Sequence, residues 1–106
     1  MTTTGAAPPA PALPEAVRRL VGRLGAEPSV RRVILFGSRA RGDAGPRSDV
    51  DLAVDAPDLP PRDWLRLADM TEDADSLLTI DLVRLEEAPA ELRARIEAEG
   101  QTLHER

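Results

Sequence analysis

The sequence predicts one small domain of mixed α/β (α+β) class, a mixed sheet of three to four strands packed against helices. Three observations carry this. Val17, Leu20, Val21 and Leu24 recur at i, i+3, i+4 and i+7, which makes one apolar helical face. Val33, Ile34, Leu35 and Phe36 form a short continuous apolar run, the mark of a buried strand, whereas Val50, Leu52 and Val54 alternate with Asp49, Asp51 and Asp55 at the strand period of two. Helical and strand patterns then follow one another in the order helix, strand, strand, helix, strand, helix. A chain of 106 residues suits a single domain.

Residues 1–13 carry Pro8, Pro9 and Pro11 among Ala and Thr, a composition that buries little apolar area. They are expected to be a disordered leader, with the domain spanning 14–106. Pro14 suits the first position of a helix and Glu15 its first turn, while Gly25 and Pro28 end it. The Gly- and Arg-rich stretch 37–47 predicts a turn with room for one helical turn. Pro57, Pro60 and Pro61 make a connector. A helix follows with Trp64, Leu67, Ala68, Thr71 and Ala74 on its inner side. Thr79 to Leu85 reads as the third strand. Ala90 to Glu99 reads as the last helix, with Leu92 and Ile96 inward and Gly100 as its stop. The tail through Leu103 has room for a further short strand. Aromatic residues are only 2% of the chain, so aliphatic side chains must fill the core, and Phe36 and Trp64 are assigned to it.

Charge and composition narrow the function classes. There is no cysteine, which excludes disulfides and thiolate metal sites and fits a reducing, cytoplasmic setting. A net charge of −5 argues against direct binding of nucleic acid through its phosphates. No apolar run is long enough to span a membrane, and the start lacks the basic and apolar segments of a signal peptide.

The strongest chemical signal is the placement of aspartates. Asp is depleted in strands because its short polar side chain competes for backbone hydrogen bonds. Asp49 and Asp51 lie two apart on one strand and therefore point to the same face. Asp81 repeats the anomaly between Ile80 and Leu82. If the two strands are neighbours with matching faces, three carboxylates converge. Such a trio repels itself unless a cation intervenes, and its hard oxygens suit Mg²⁺. Two ions about 3.5–4 Å apart can clamp an in-line phosphoryl displacement. On its own, the Asp49–Asp51 alternation is also what a half-solvated strand shows.

The loop before this pair adds weight. Gly37 lets a ligand approach the backbone, Ser38 is placed to cap a short helical turn, and Arg39, Arg41 and Arg47 bring positive charge. Together they suggest a polyphosphate partner, although Gly-Ser after a strand is by itself an ordinary turn.

Gly37-Ser38, ten intervening residues and Asp49-Val50-Asp51 resemble the signature of the DNA polymerase beta nucleotidyltransferase superfamily. The stretch VILFGSRARGDAGPRSDVDLAV, the later TIDLV and the closing ELRARIEAEGQTL resemble its stand-alone minimal nucleotidyltransferases, the MNT proteins. The resemblance runs from about Val17 to Leu103 and implies the nucleotidyltransferase fold. It implies that Gly37 and Ser38 hold the β- and γ-phosphates of ATP, and that Asp49 and Asp51 ligate Mg²⁺. Asp81 would be the third ligand and would help draw the proton from an acceptor hydroxyl. By analogy Arg39 and Arg41 contact phosphate.

MNT proteins are commonly paired with HEPN-domain ribonuclease toxins, which they neutralise by adding AMP to a tyrosine. The resemblance therefore implies a HEPN partner, and leaves a homo-oligomer or a hetero-oligomer open. The chain has no tyrosine, so a tyrosyl acceptor would lie on another chain. Two rivals remain: an antitoxin that acts by binding alone, and an enzyme acting on a small molecule such as an aminoglycoside. A polymerase or tRNA-modifying enzyme conflicts with the charge and size. His104, the acidic residues Asp69, Glu72, Asp73 and Asp75, and the charges of the last helix (Glu86, Glu87, Glu91, Glu97 and Glu99 with Arg93 and Arg95) are expected on solvated surface.

Overall fold

The computed structural model describes residues 13–43, 45, 49–73 and 78–106. Their elements are α1 (Glu15–Gly25), β1 (Arg32–Phe36), α2 (Ser38–Arg41), β2 (Val50–Asp55), α3 (Pro61–Asp73), β3 (Ile80–Arg84), a 3-10 turn (Leu85–Glu87), α4 (Ala90–Glu99) and β4 (Gln101–Glu105). Pro14 stands just before α1 as its N-cap, with Glu15 as the first helical residue. Residues 1–12 of the expected leader lie outside the described residues. Leu13, its last residue, is buried against the core.

The four strands form one mixed sheet in the order β3-β2-β1-β4. β1 is antiparallel to both β2 and β4, and β2 is parallel to β3. The parallel pair needs a crossover, which α3 provides, whereas β1 returns directly into β2 through the short α2. The tail strand through Leu103 is real and forms one edge of the sheet. The third strand ends at Arg84, one residue before the expected Leu85, because the chain there turns into the 3-10 segment.

Alternation along the strands sorts the core into two layers. Val33, Leu35, Val50, Leu52 and Val54 lie with Val17, Leu20, Leu24 and Leu67 in the larger cluster under α1 and α3. Ile34 and Ala53 pack with Leu85 and Ile96 under α4. β1 is therefore covered on both faces, which is why its sequence is continuously apolar. Truncating a fully buried core leucine such as Leu35 or Leu52 to Ala costs about 2–5 kcal/mol.

Several side chains depart from the expectation. Phe36 and Trp64 are only partly buried, each at the margin of its cluster. Ala74 lies outside the described residues. His104 is partly buried rather than fully on the surface: its ring lies against Gly25, where a Cβ would come within 2.7 Å of Nδ1, and its Nε2 is buried. The last-helix charges are exposed as expected, apart from the partly buried Glu86, but some of them also pair across the fold. Glu97 takes a bidentate pair from Arg32 of β1 at 3.0 and 3.1 Å, and Arg32 also holds Asp55 at 2.8 Å. Arg84, its side chain 9% exposed, donates to the carbonyls of Ala56 and Leu59 at 3.0 and 2.6 Å and pairs with Glu86 at 3.4 Å. These bonds tie the β2–α3 connector to the end of β3.

Candidate active site

The parallel pairing of β2 and β3 sets Asp51 directly beside Asp81 as Cα partners. Both belong to the face that also carries Ala53, the α4 side of the sheet. Strand neighbours lie about 4.8 Å apart, so these two carboxylates are adjacent by construction. On its other flank Asp51 is the Cα partner of Phe36, the last residue of β1. Asp49 precedes β2 and is exposed.

β1 runs out at Gly37, which turns over the end of β2. Its backbone is at φ 77° and ψ −156°, a region that essentially only glycine occupies. A Cβ placed there would collide with Oδ2 of Asp51, and Cγ would lie at 3.3 Å. Glycine thus serves two needs at once: the sharp turn, and the approach of the backbone to the carboxylate. Gly37, rather than Ser38, is the N-cap of the single helical turn α2, with Ser38 as its first helical residue. The Gly37 carbonyl accepts from the amides of Ala40 and Arg41, both at 3.1 Å. Gly42, at φ 86°, closes the turn.

Arg39 and Arg41 both sit on α2. Arg39 is partly buried. Arg41 pairs with Asp43 at 3.3 Å and with Glu99 of α4 at 3.5 Å. Arg47 lies outside the described residues. Burial pushes the Asp51 carboxyl above its ordinary value, the negative charges of Asp81 and Asp49 push it further, and Arg41 opposes them. Asp51 therefore feels both other aspartates.

The convergence is looser than expected, however. Among the described residues no group of three Asp, Glu, His or Cys side chains is drawn close enough to enclose a metal ion. Asp51 and Asp81 are fixed side by side by the sheet, while Asp49 flanks them from outside the strand. The donor set is still the right kind for a divalent ion: hard carboxylate oxygens whose charge is poorly compensated. Asp51 and Asp81 can contribute from the sheet, and Asp49 can join from the loop.

Two supporting residues escaped the sequence reading. Gln101, at the start of β4, donates its side-chain amide to the Ala40 carbonyl of α2 at 2.7 Å. Glu99 holds Arg41. Both partnerships bridge distant parts of the chain, and only the arrangement of β4 beside β1 brings them together.

The fold is shared with solved structures. The chain is similar to a toxin–antitoxin with AMP-PNP at 26% identity, covering 87% of this chain and 73% of that one, with a TM-score of 0.64. It is similar to a variant of the toxin–antitoxin MntA-HpeT at 28% identity over 90% and 75%, with a TM-score of 0.64. A tri-AMPylated Shewanella oneidensis HEPN toxin in complex with MNT antitoxin matches at 24% identity over 87% and 69%, with a TM-score of 0.58, a likeness of fold. No curated protein matches the chain at a significant level. The described residues include no helix long and apolar enough to cross a membrane. The family of polymerase beta nucleotidyltransferases matches residues 20–106, which take in the whole sheet, the Gly37 turn and all three aspartates, and the chain belongs to that family.

Proposed function

We propose that this chain is a Mg²⁺-dependent nucleotidyltransferase that moves AMP from ATP to a hydroxyl of a partner protein, a tyrosine of a HEPN ribonuclease toxin, and thereby acts as its antitoxin. The observation that carries the reading is the in-register pair Asp51 and Asp81 with the Gly37 backbone seated against the Asp51 carboxylate. Family membership supports the transfer chemistry. The 26%-identical toxin–antitoxin with AMP-PNP supports both the nucleotide and the kind of partner.

In this reading the amides of Gly37 and Ser38 receive the β- and γ-phosphates, with Arg39 and Arg41 adding charge. Arg41 would exchange its exposed pairings for phosphate. Asp49, Asp51 and Asp81 would hold the metal. Bound Mg²⁺ would supply charge neutralisation on the triphosphate and make the acceptor hydroxyl easier to ionise. The acceptor oxygen then forms a bond to the α-phosphorus while the bond from that phosphorus to the β-phosphate's bridging oxygen breaks. Pyrophosphate leaves, and the hydroxyl proton passes to Asp81. The protein's own contribution is positioning and electrostatics. With no tyrosine of its own, the chain must find such an acceptor elsewhere, and its −5 charge complements a basic RNA-binding surface.

The test is to incubate the purified chain with ATP, Mg²⁺ and the protein encoded beside it, and to read intact masses. The partner should gain one or more AMP units, and the Asp49→Asn/Asp51→Asn double variant should transfer none. Neutralisation of the partner in cells that survives this double variant would replace catalysis by simple masking.

A further inference from the structure

We infer that Gln101 is a positioning residue for the Gly37–Gly42 turn, locking it against the sheet so that its backbone is preset for a nucleotide's phosphates. The inference rests on the nucleotidyltransferase reading for what the turn holds, and on the hydrogen bond itself for the lock.

A helix of four residues has no stability of its own and must be held from outside. Within α2 the Gly37 carbonyl accepts from Ala40 and Arg41, and the Ser38 carbonyl accepts from Gly42 and Asp43 at 3.0 and 3.2 Å. The carbonyls at the end of so short a helix have no partner within it. The Gln101 side chain supplies one, donating Nε2 to the Ala40 oxygen at 2.7 Å in a partly buried setting. Ala40 is itself buried, 7% exposed, so this carbonyl lies on the inner side of the turn.

Gln101 is in turn rigidly placed. It is the Cα partner of Leu35, two residues before Gly37 on β1. Gly100, just ahead of it, is wedged so tightly that a Cβ would run into the Ile96 carbonyl and the Ile34 side chain. The lock therefore refers α2 to the same strand from which the Gly37 turn departs. Glu99 adds a second tie through Arg41 at 3.5 Å, but both groups are over 40% exposed, so that pair is weak. Gln101 acts through the Ala40 backbone, and misplacement of bound phosphates by even about 1 Å can lower a rate by up to 10²-fold.

The full chain carrying Gln101→Leu tests this, with Leu103→Ala as control. Leu103 lies in the same strand but packs on the main core. Two readouts are taken: amide hydrogen exchange of residues 38–42 without nucleotide, and the Kd for a fluorescent Mg·ATP analogue. Gln101→Leu should speed exchange in the turn and raise Kd, each by about tenfold, the change expected for one lost hydrogen bond. Leu103→Ala should lower Tm at least as much yet leave both readouts at their wild-type values. Unchanged exchange or unchanged Kd in Gln101→Leu overturns the inference, as does Leu103→Ala moving both equally. A wild-type chain that binds no Mg·ATP instead sinks the nucleotidyltransferase reading, and the exchange result still decides whether Gln101 holds the turn.

Discussion

Replacing Gly37 by Ala should cost this domain much of its stability, in two separable parts. The first is backbone strain. At φ 77° and ψ −156° a residue with a Cβ sits in a region that costs about 1–3 kcal/mol. The second is the collision of the new methyl with Oδ2 of Asp51, which must swing away. Together they predict a loss of about 2–4 kcal/mol, which for a domain of this size lowers Tm by roughly 10–20 °C. The parts separate in a double-mutant cycle. In an Asp51→Ala background the colliding oxygen is gone, and the remaining Cβ, at 3.6 Å, makes ordinary contact. The cost of Gly37→Ala should therefore shrink by about 1 kcal/mol there, leaving the backbone part. The assay is urea unfolding at pH 7 of the four proteins, with m required to stay constant. An equal cost in both backgrounds would refute the claim that the Gly37 backbone rests on the Asp51 carboxylate, and a cost under about 0.5 kcal/mol would refute the strain as well.

Three further outcomes follow from the same geometry. Asp51→Asn should raise the Tm of the metal-free protein at pH 7 while abolishing Mg·ATP binding. The Asp51 carboxyl is held above its ordinary 3.8 by burial and by Asp81 and Asp49, so its contribution is full below that value and lost as pH rises; the gain in Tm should vanish below about pH 4. Arg84→Met should cost about 2–4 kcal/mol in urea unfolding, because the carbonyls of Ala56 and Leu59 lose their donor and Glu86 its partner; a loss under 1 kcal/mol would show that water replaces the guanidinium freely. Glu97 is held below its ordinary 4.5 chiefly by its hydrogen bonds from Arg32, so its contribution is present above that value and lost as pH falls through its lowered pKa. Glu97→Gln should reduce stability at pH 7 and make the Tm fall less steeply on acidification below pH 4.5; parallel pH profiles for the two proteins would contradict this.

Local pattern in the chain was enough to specify α1, β1 and β2, Gly100 marked the end of α4, and Asp51 and Asp81 stood out because an aspartate in a strand goes against the ordinary preference of that structure. It also marked Gly37, because a glycine after an apolar strand and ahead of a helical turn is a backbone signal. What it left open was which faces met. Only the parallel register of β3 on β2 sets Asp81 beside Asp51, and no pattern within either strand encodes that pairing. The same holds for Phe36 and Trp64. Their apolar character assigned them to the core, and both pack against it but stay partly buried, which only the assembled layers decide. His104 went the other way, a polar ring partly buried because β4 lies over Gly25, and Glu97 stays exposed yet pairs across to Arg32. Short-range sequence fixes the conformation a segment prefers through propensity and side-chain period. Contacts between residues many positions apart, such as Gln101 with Ala40, exist only once the sheet has assembled, and the tertiary structure alone decides them.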